Sequence, residues 1–153
     1  MHAYACLIYK RELSKGIKVE VCLNLALRKA NRVMSQIYDD HLSSVGLKCG
    51  QFSILRAMHY TQPTTNRELQ DVLVLDQTTL TRNLKPIIRD GYISIQPGDD
   101  KRVKVLSLSK EGEDLYQRAL PFWQDAQEQV RQVLGVEIVD QMVDLTKTIV
   151  QLK

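Results

Sequence analysis

Residues 64–108 constrain this chain most. They read TTNRELQDVLVLDQTTLTRNLKPIIRDGYISIQPGDDKRVKVLSL. Thr65-Asn66-Arg67-Glu68 fits a capping box: the Thr hydroxyl accepts from the amide three residues on, and the Glu carboxylate reaches back to the Thr amide. The helix it starts is short and ends near Leu73. After the turn Val74-Leu75-Asp76, Asp76 is placed to cap a second helix over residues 77–90, with Leu80, Leu84, Ile87 and Ile88 inward. Pro86 inside that helix removes the bond to the Arg82 carbonyl, so a bend or loosening is expected there. Gly91 stops it. Residues 92–96 and 103–108 are strand-like, and Pro97-Gly98-Asp99-Asp100 between them has turn chemistry.

Helix, three-residue turn, helix, strand, basic hairpin, strand is the order of parts in a winged helix-turn-helix. Such a motif uses its first helix to brace a second, whose N-terminal half enters the major groove of DNA. The second helix here would present Gln77, Thr78, Thr81, Arg82 and Lys85 outward, with Thr79 near the edge of that face. Gln pairs bidentately with adenine and Arg with guanine, while Thr offers a hydroxyl to a base or phosphate and a methyl group to thymine. Thr65 and Asn66 begin the bracing helix, where exposed amides favour phosphate. Lys101 and Arg102 tip the hairpin, a shape suited to the minor groove or its flanking phosphates. Asp99 and Asp100 would repel phosphate, so one of them is expected to pair with a basic neighbour, either Arg82 or Arg102.

The flanks are helical. Apolar residues recur at helical spacing over residues 19–45 (Cys22, Leu25, Val33, Ile37, Tyr38, Leu42), and Gly46 ends that helix. Another helix spans residues 49–60, with Phe52, Leu55 and Met58 inward, and Gln62-Pro63 closes it. Beyond Ser109, the expected N-cap, a long helix reaches about residue 134. Gly135 breaks it, and a last helix covers 137–152. The fold class is therefore mainly α with a small β wing. Residues 46–108 form the winged lobe, and residues 1–45 and 109–153 a helical region.

Of the 153 residues, 44% are apolar and 25% charged, enough for a packed core. The net charge of +3 is unevenly spread. Residues 1–45 hold seven basic and four acidic groups, residues 46–108 nine and six, and residues 109–153 five and eight. The basic tilt of the first two thirds suits one nucleic-acid-facing lobe. No apolar run approaches the ~20 residues that span a bilayer, and the N-terminus lacks the pattern of a signal peptide. Three widely spaced cysteines, Cys6, Cys22 and Cys49, suit a reducing cytosol, so a cytoplasmic location is expected. His2, His41 and His59 are scattered and join no cluster at ligand spacing, so neither metal nor cofactor is expected. No nucleophile elbow, phosphate loop or dinucleotide fingerprint is present, which argues against an enzyme.

The chain resembles the MarR family of bacterial transcription regulators from about residue 19 to its end. Gly46-Leu47 with Gln51-Phe52 and Leu55 resembles the family's entry into its second helix. Residues 76–84, DQTTLTRNL, resemble its recognition helix. Asp100-Lys101-Arg102 with Leu106, Leu108 and Lys110-Glu111-Gly112 resembles its wing and the start of the next helix. Pro86 and a compact wing with two basic residues at its tip depart from the family pattern. The resemblance implies an obligate homodimer, paired through the N- and C-terminal helices, that sets two lobes on successive major grooves of a near-palindromic operator. It implies a repressor relieved by a signal, commonly a small aromatic or lipophilic acid bound between the dimer helices and the DNA lobe. In some relatives the signal is an oxidant sensed by a cysteine near the start of the first helix, which makes Cys22 the candidate redox sensor. Cys22 also falls in the apolar register of its helix, where cysteine serves as a small hydrophobe. The competing reading is a winged-helix module that binds protein and not DNA; such a module usually shows an apolar patch on the helix that here carries Gln77, Thr78, Thr81 and Arg82.

Overall fold

The computed structural model describes residues 22–152. Contacts divide the chain into two compact units, residues 1–34 and 35–153. The described part of the first is Cys22 and the opening turns of helix α1 (Leu23–Leu42), where Leu23, Leu25, Leu27 and Val33 are exposed. The apolar register of this stretch is legible in the sequence, and among the described residues these side chains are exposed.

The second unit carries the rest. A single 3-10 turn, Ser43–Val45, follows α1, and Gly46 turns the chain with φ of 73°. That left-handed value is one glycine reaches without a Cβ clash. Helix α2 (Cys49–Thr61) buries Phe52, Ile54, Leu55, Ala57 and Met58, and forms the spine of the core. Helices α3 (Asn66–Leu73) and α4 (Gln77–Arg89) pack on it, joined by the expected three-residue turn. Helix α4 runs unbroken through Pro86; the amide of Asp90 reaches the Pro86 carbonyl at 2.9 Å, so the missing bond does not end the helix. Strands β2 (Ile93–Pro97) and β3 (Lys104–Leu108) form the wing hairpin, with Ile95 opposite Leu106.

A third, two-residue strand, β1 (Thr64–Thr65), pairs antiparallel with β3 and gives the sheet order β1-β3-β2. Sequence patterning missed it, because two residues carry no periodicity. The Gln62 side chain extends this edge by accepting from the Leu108 amide at 2.8 Å. The wing is thus tied to the start of the bracing helix, so Thr65 and the hairpin share one framework.

Helix α5 (Lys110–Leu134) starts at Ser109, whose hydroxyl oxygen accepts from the Gly112 amide at 3.0 Å and whose hydrogen goes to the Gly91 carbonyl. Phe52 stacks between Tyr116 and Trp123 of α5, at ring separations of 5.7 and 5.9 Å. Helix α6 (Val136–Val150) packs against α5 yet buries no residue fully, and Ile138, Val143 and Leu145 are exposed. Among the described residues, no helix is long and apolar enough to cross a membrane.

Candidate nucleic-acid interface

The capping chemistry of α3 forms as expected. Thr65 Oγ1 accepts from the Glu68 amide at 3.3 Å, and the Thr65 amide donates to Glu68 Oε2 at 2.7 Å. Thr64, buried in the sheet, adds its hydroxyl to the same carboxylate at 3.1 Å. The Thr65 amide, then the Thr65 and Thr64 hydroxyls, hold the Glu68 carboxyl below its ordinary pKa. The box closes the start of α3 directly after β1, whose Thr65 pairs with Val105 of the wing strand.

Helix α4 buries Leu80, Leu84 and Ile87, which leaves Gln77, Thr78, Thr81, Arg82 and Lys85 exposed on the other side. Arg82 and Lys85 form no ion pair among the described residues. Thr79 is half-buried and already engaged: its amide and hydroxyl both donate to the Asp76 carboxylate at 2.8 Å. That pair, amide first, lowers the Asp76 pKa. Thr79 therefore serves the cap with its hydrogen, and only its oxygen lone pairs and methyl group remain for DNA.

At the hairpin tip, Asp100 settles the open pairing in favour of Arg102. Its Oδ1 accepts from the Arg102 amide at 3.0 Å and from Nε at 3.2 Å. These two bonds, amide first, lower the Asp100 pKa. The Arg102 side chain is still 90% exposed, so its outer nitrogens are free for phosphate. Lys101 is exposed beside it.

A cleft of about 370 Å³ lies between α4 and the wing sheet, and brings Asn66, Thr81 and Lys85 together with Arg89, Ile95 and Lys104. Asn66 Oδ1 is buried and has no hydrogen-bond partner among the described residues. Sequence reasoning placed Asn66, Thr81 and Lys85 on DNA individually; their convergence with Arg89 and Lys104 depends on the strand pairing, which no local pattern encodes.

Two further residues brace the exposed face of α4. Gln70, on α3, donates from Nε2 to the Asn66 carbonyl at 3.2 Å and to Gln77 Oε1 at 2.7 Å. Asn83 donates to the Thr79 carbonyl at 2.9 Å and packs its amide over Gly50, where α2 and α4 meet. Both were readable as polar residues on amphipathic helices, but not as neighbours.

Cys22 is exposed and precedes the first residue of α1. Cys49 is half-buried at the start of α2, where burial, then the nearby Asp39, pushes its thiol pKa up. His41 bonds the side chain of Gln129 at 2.7 Å, and His59 pairs with Glu113 at 2.8 Å. Cys6, His2 and the helical start expected before residue 22 lie outside the described residues.

Comparison with known proteins follows the same outline. The model of the MarR family matches residues 47–104, from the end of the Gly46 turn to the first residue of β3. YwoH, an HTH-type transcriptional regulator of Bacillus subtilis, is 29% identical over 91 residues, which cover 60% of this chain and 66% of YwoH. The chain thus spans just under two thirds of that curated relative. The structure of the M. tuberculosis transcriptional regulator MosR in complex with DNA is 32% identical, with a TM-score of 0.73 over 84% of this chain and 96% of MosR. A mutant of Escherichia coli MarR, solved with operator DNA, is 23% identical with a TM-score of 0.75 over 83% of this chain and 92% of that one. At that identity it shows the fold alone.

Proposed function

This chain belongs to the MarR family of transcriptional regulators, and from that premise we propose that it binds a near-palindromic duplex operator as a homodimer and represses until a signal releases it. The observation that carries the DNA reading is the composition of the outer face of α4. Gln77, Thr78, Thr81, Arg82 and Lys85 are exposed there, while the apolar residues of the same helix are buried. A protein-docking helix would expose an apolar patch, as hot spots do. Arg82 and Gln77 contact base edges in the major groove; Thr65, Asn66 and Lys85 contact phosphate. Lys101 and Arg102 enter or flank the minor groove. Residues 46–108 act as the DNA lobe, and the helices on either side pair the two copies.

Exposed apolar residues support the pairing. Leu23, Leu25, Leu27 and Val33 on α1, and Ile138, Val143, Leu145 and Val150 on α6, are exposed in the single chain. Two-fold symmetry then sets the half-sites about one helical turn apart.

The signal we propose is a small aromatic or lipophilic acid. Arg56 lies 4.5 Å from the Trp123 ring centroid and 5.3 Å from that of Tyr60, and donates to the Tyr116 hydroxyl at 3.3 Å. It has no carboxylate partner among the described residues, so it offers a cation lying over the Trp123 and Tyr60 rings. An aromatic carboxylate that weakens DNA binding by the wild type but not by Arg56→Gln supports this site. An oxidant is the second candidate signal, because Cys22 is exposed. Full peroxide response in Cys22→Ser excludes it.

The DNA reading is tested by a mobility shift on random duplex at low salt, repeated as salt rises. The expected result is a shift whose affinity falls steeply with salt, as counterions released by Lys and Arg dictate. A protein that is dimeric and folded but shifts no duplex at low salt contradicts it.

A further inference from the structure

We propose that Gln70 is a positioning residue for base recognition: from the bracing helix it fixes the amide of Gln77, and with it the one N–H and one lone pair that Gln77 presents toward DNA. The inference rests on the DNA-binding reading above.

The geometry is a chain of three hydrogen bonds across the helix-turn-helix. Gln70 Nε2 has two N–H groups. One is held by the Asn66 carbonyl at 3.2 Å, within the same helix, and the other reaches Gln77 Oε1 at 2.7 Å, across the turn. With its oxygen held by Gln70, the Gln77 amide must turn its NH2 group the other way. That group reaches Thr81 Oγ1 at 3.1 Å, one turn further along α4. The direction of each bond is thereby set, beginning from a backbone carbonyl that can only accept.

The consequence is a donor and acceptor pattern. Thr81 Oγ1 accepts from Gln77, and its hydrogen has no partner among the described residues. Its hydrogen is free to donate to purine N7, guanine O6, thymine O4 or a phosphate, and one oxygen lone pair is left beside the bond from Gln77. Gln77 keeps one N–H and one lone pair, the pattern that complements N7 and the amino group of adenine. Without Gln70 the Gln77 oxygen loses its fixed donor, the amide can turn over, and the face loses its preorganisation. Gln70 itself need touch no base.

The test starts from duplexes selected from a random pool by the wild-type protein. The base pair read by Gln77 is the position at which Gln77→Ala relaxes the selection. Affinity is then measured for the selected site and for the same site with that base pair exchanged, at one fixed salt concentration. Wild type, Gln70→Ala, Gln70→Glu, Gln77→Ala and the Gln70→Ala/Gln77→Ala double variant are compared, with folding checked by circular dichroism. Gln70→Ala is expected to lower the discrimination ratio by about tenfold, to leave affinity for random duplex unchanged, and to add no further loss in the Gln77→Ala background. Gln70→Glu matches Gln in shape but cannot donate, and is expected to lose the same preference. A wild-type ratio in either Gln70 variant, or a full additive loss in the double variant, overturns the role of Gln70. Absence of any duplex binding by the wild type overturns the DNA reading itself, and the positioning role with it.

Discussion

The carbonyl oxygen of Tyr92 occupies the space that a β-carbon on Gly112 would take. The contact locks the first turn of α5 against the segment that leaves α4, and the Tyr92 carbonyl also accepts from the Ser109 amide at 3.1 Å. Both partners are backbone, so neither can swing aside. Gly112→Ala is therefore expected to destabilise the fold by at least about 2 kcal/mol, through overpacking and backbone displacement. At Gly50 the atom in the way is the Asn83 side-chain oxygen, 2.9 Å from an added β-carbon, and a side chain can yield. Urea unfolding should rank Gly112→Ala as the costlier change; equal midpoints would show that the Tyr92 contact is not rigid.

Val74 carries φ of 52° and ψ of 44° in the turn between α3 and α4. A β-branched residue is strained there, because the left-handed region costs an L-residue about 1–2 kcal/mol. Val74 is 46% exposed, so little packing is lost when its side chain is removed. Val74→Gly is expected to raise stability by about 1 kcal/mol, the relief of strain less the added backbone entropy of glycine. A glycine variant that melts below the wild type would mean that the side chain contributes more than the strain costs.

The capping box at Thr65 supplies a third prediction. Thr65→Ala removes the acceptor for the Glu68 amide and is expected to cost about 1 kcal/mol, while Thr65→Ser retains most of the stability. Hydrogen exchange of the α3 amides localises the effect. Uniform loss of protection across the chain, without a larger change in α3, contradicts a local cap.

Acid should weaken the fold in a defined direction. Glu68, Asp76, Asp100 and Glu113 all have pKa values below the ordinary carboxylate range. For Glu113 the Gln117 side chain is the larger cause and His59 the next. A carboxylate bound more tightly in its ionised form contributes stability that is complete above its unfolded pKa, about 4. That stability is lost as pH falls through the lowered folded value. Denaturation midpoints should hold from pH 7 to about 5 and drop below about 4. Asp76→Asn keeps an oxygen for the cap but cannot titrate, so its acid slope should be shallower than that of the wild type. An identical slope would remove Asp76 from this account.

Much of the lobe was legible because its signals are local. The Thr65–Glu68 box, the Asp76 and Ser109 caps and the Gly46 turn each involve residues within a few positions of each other, and the structure forms them all. Strand β1, the Gln62 bond to Leu108 and the cleft shared by Asn66, Lys85 and Lys104 were not legible, since each joins segments far apart in sequence. The link from Gln70 to Gln77 escaped for another reason. It crosses a turn between helices, where no periodicity relates one face to the next. Leu25, Val33 and Cys22 kept an apolar register without being buried, because register reports a face and not what covers it. The helix expected over residues 77–90 forms as Gln77–Arg89 and continues through Pro86.

The central claim is that the exposed face of α4 reads DNA. Arg82 tests it most directly, since it is exposed, forms no ion pair among the described residues, and stands beside Thr81 on the outer face. The measurement is the affinity of wild type and Arg82→Ala for a duplex selected from a random pool, with oligomeric state followed by light scattering. The predicted result is a loss of at least about tenfold in Arg82→Ala, the worth of a bidentate base contact, with folding and assembly unchanged. Unchanged affinity in a folded variant would contradict the assignment of α4 as the recognition helix.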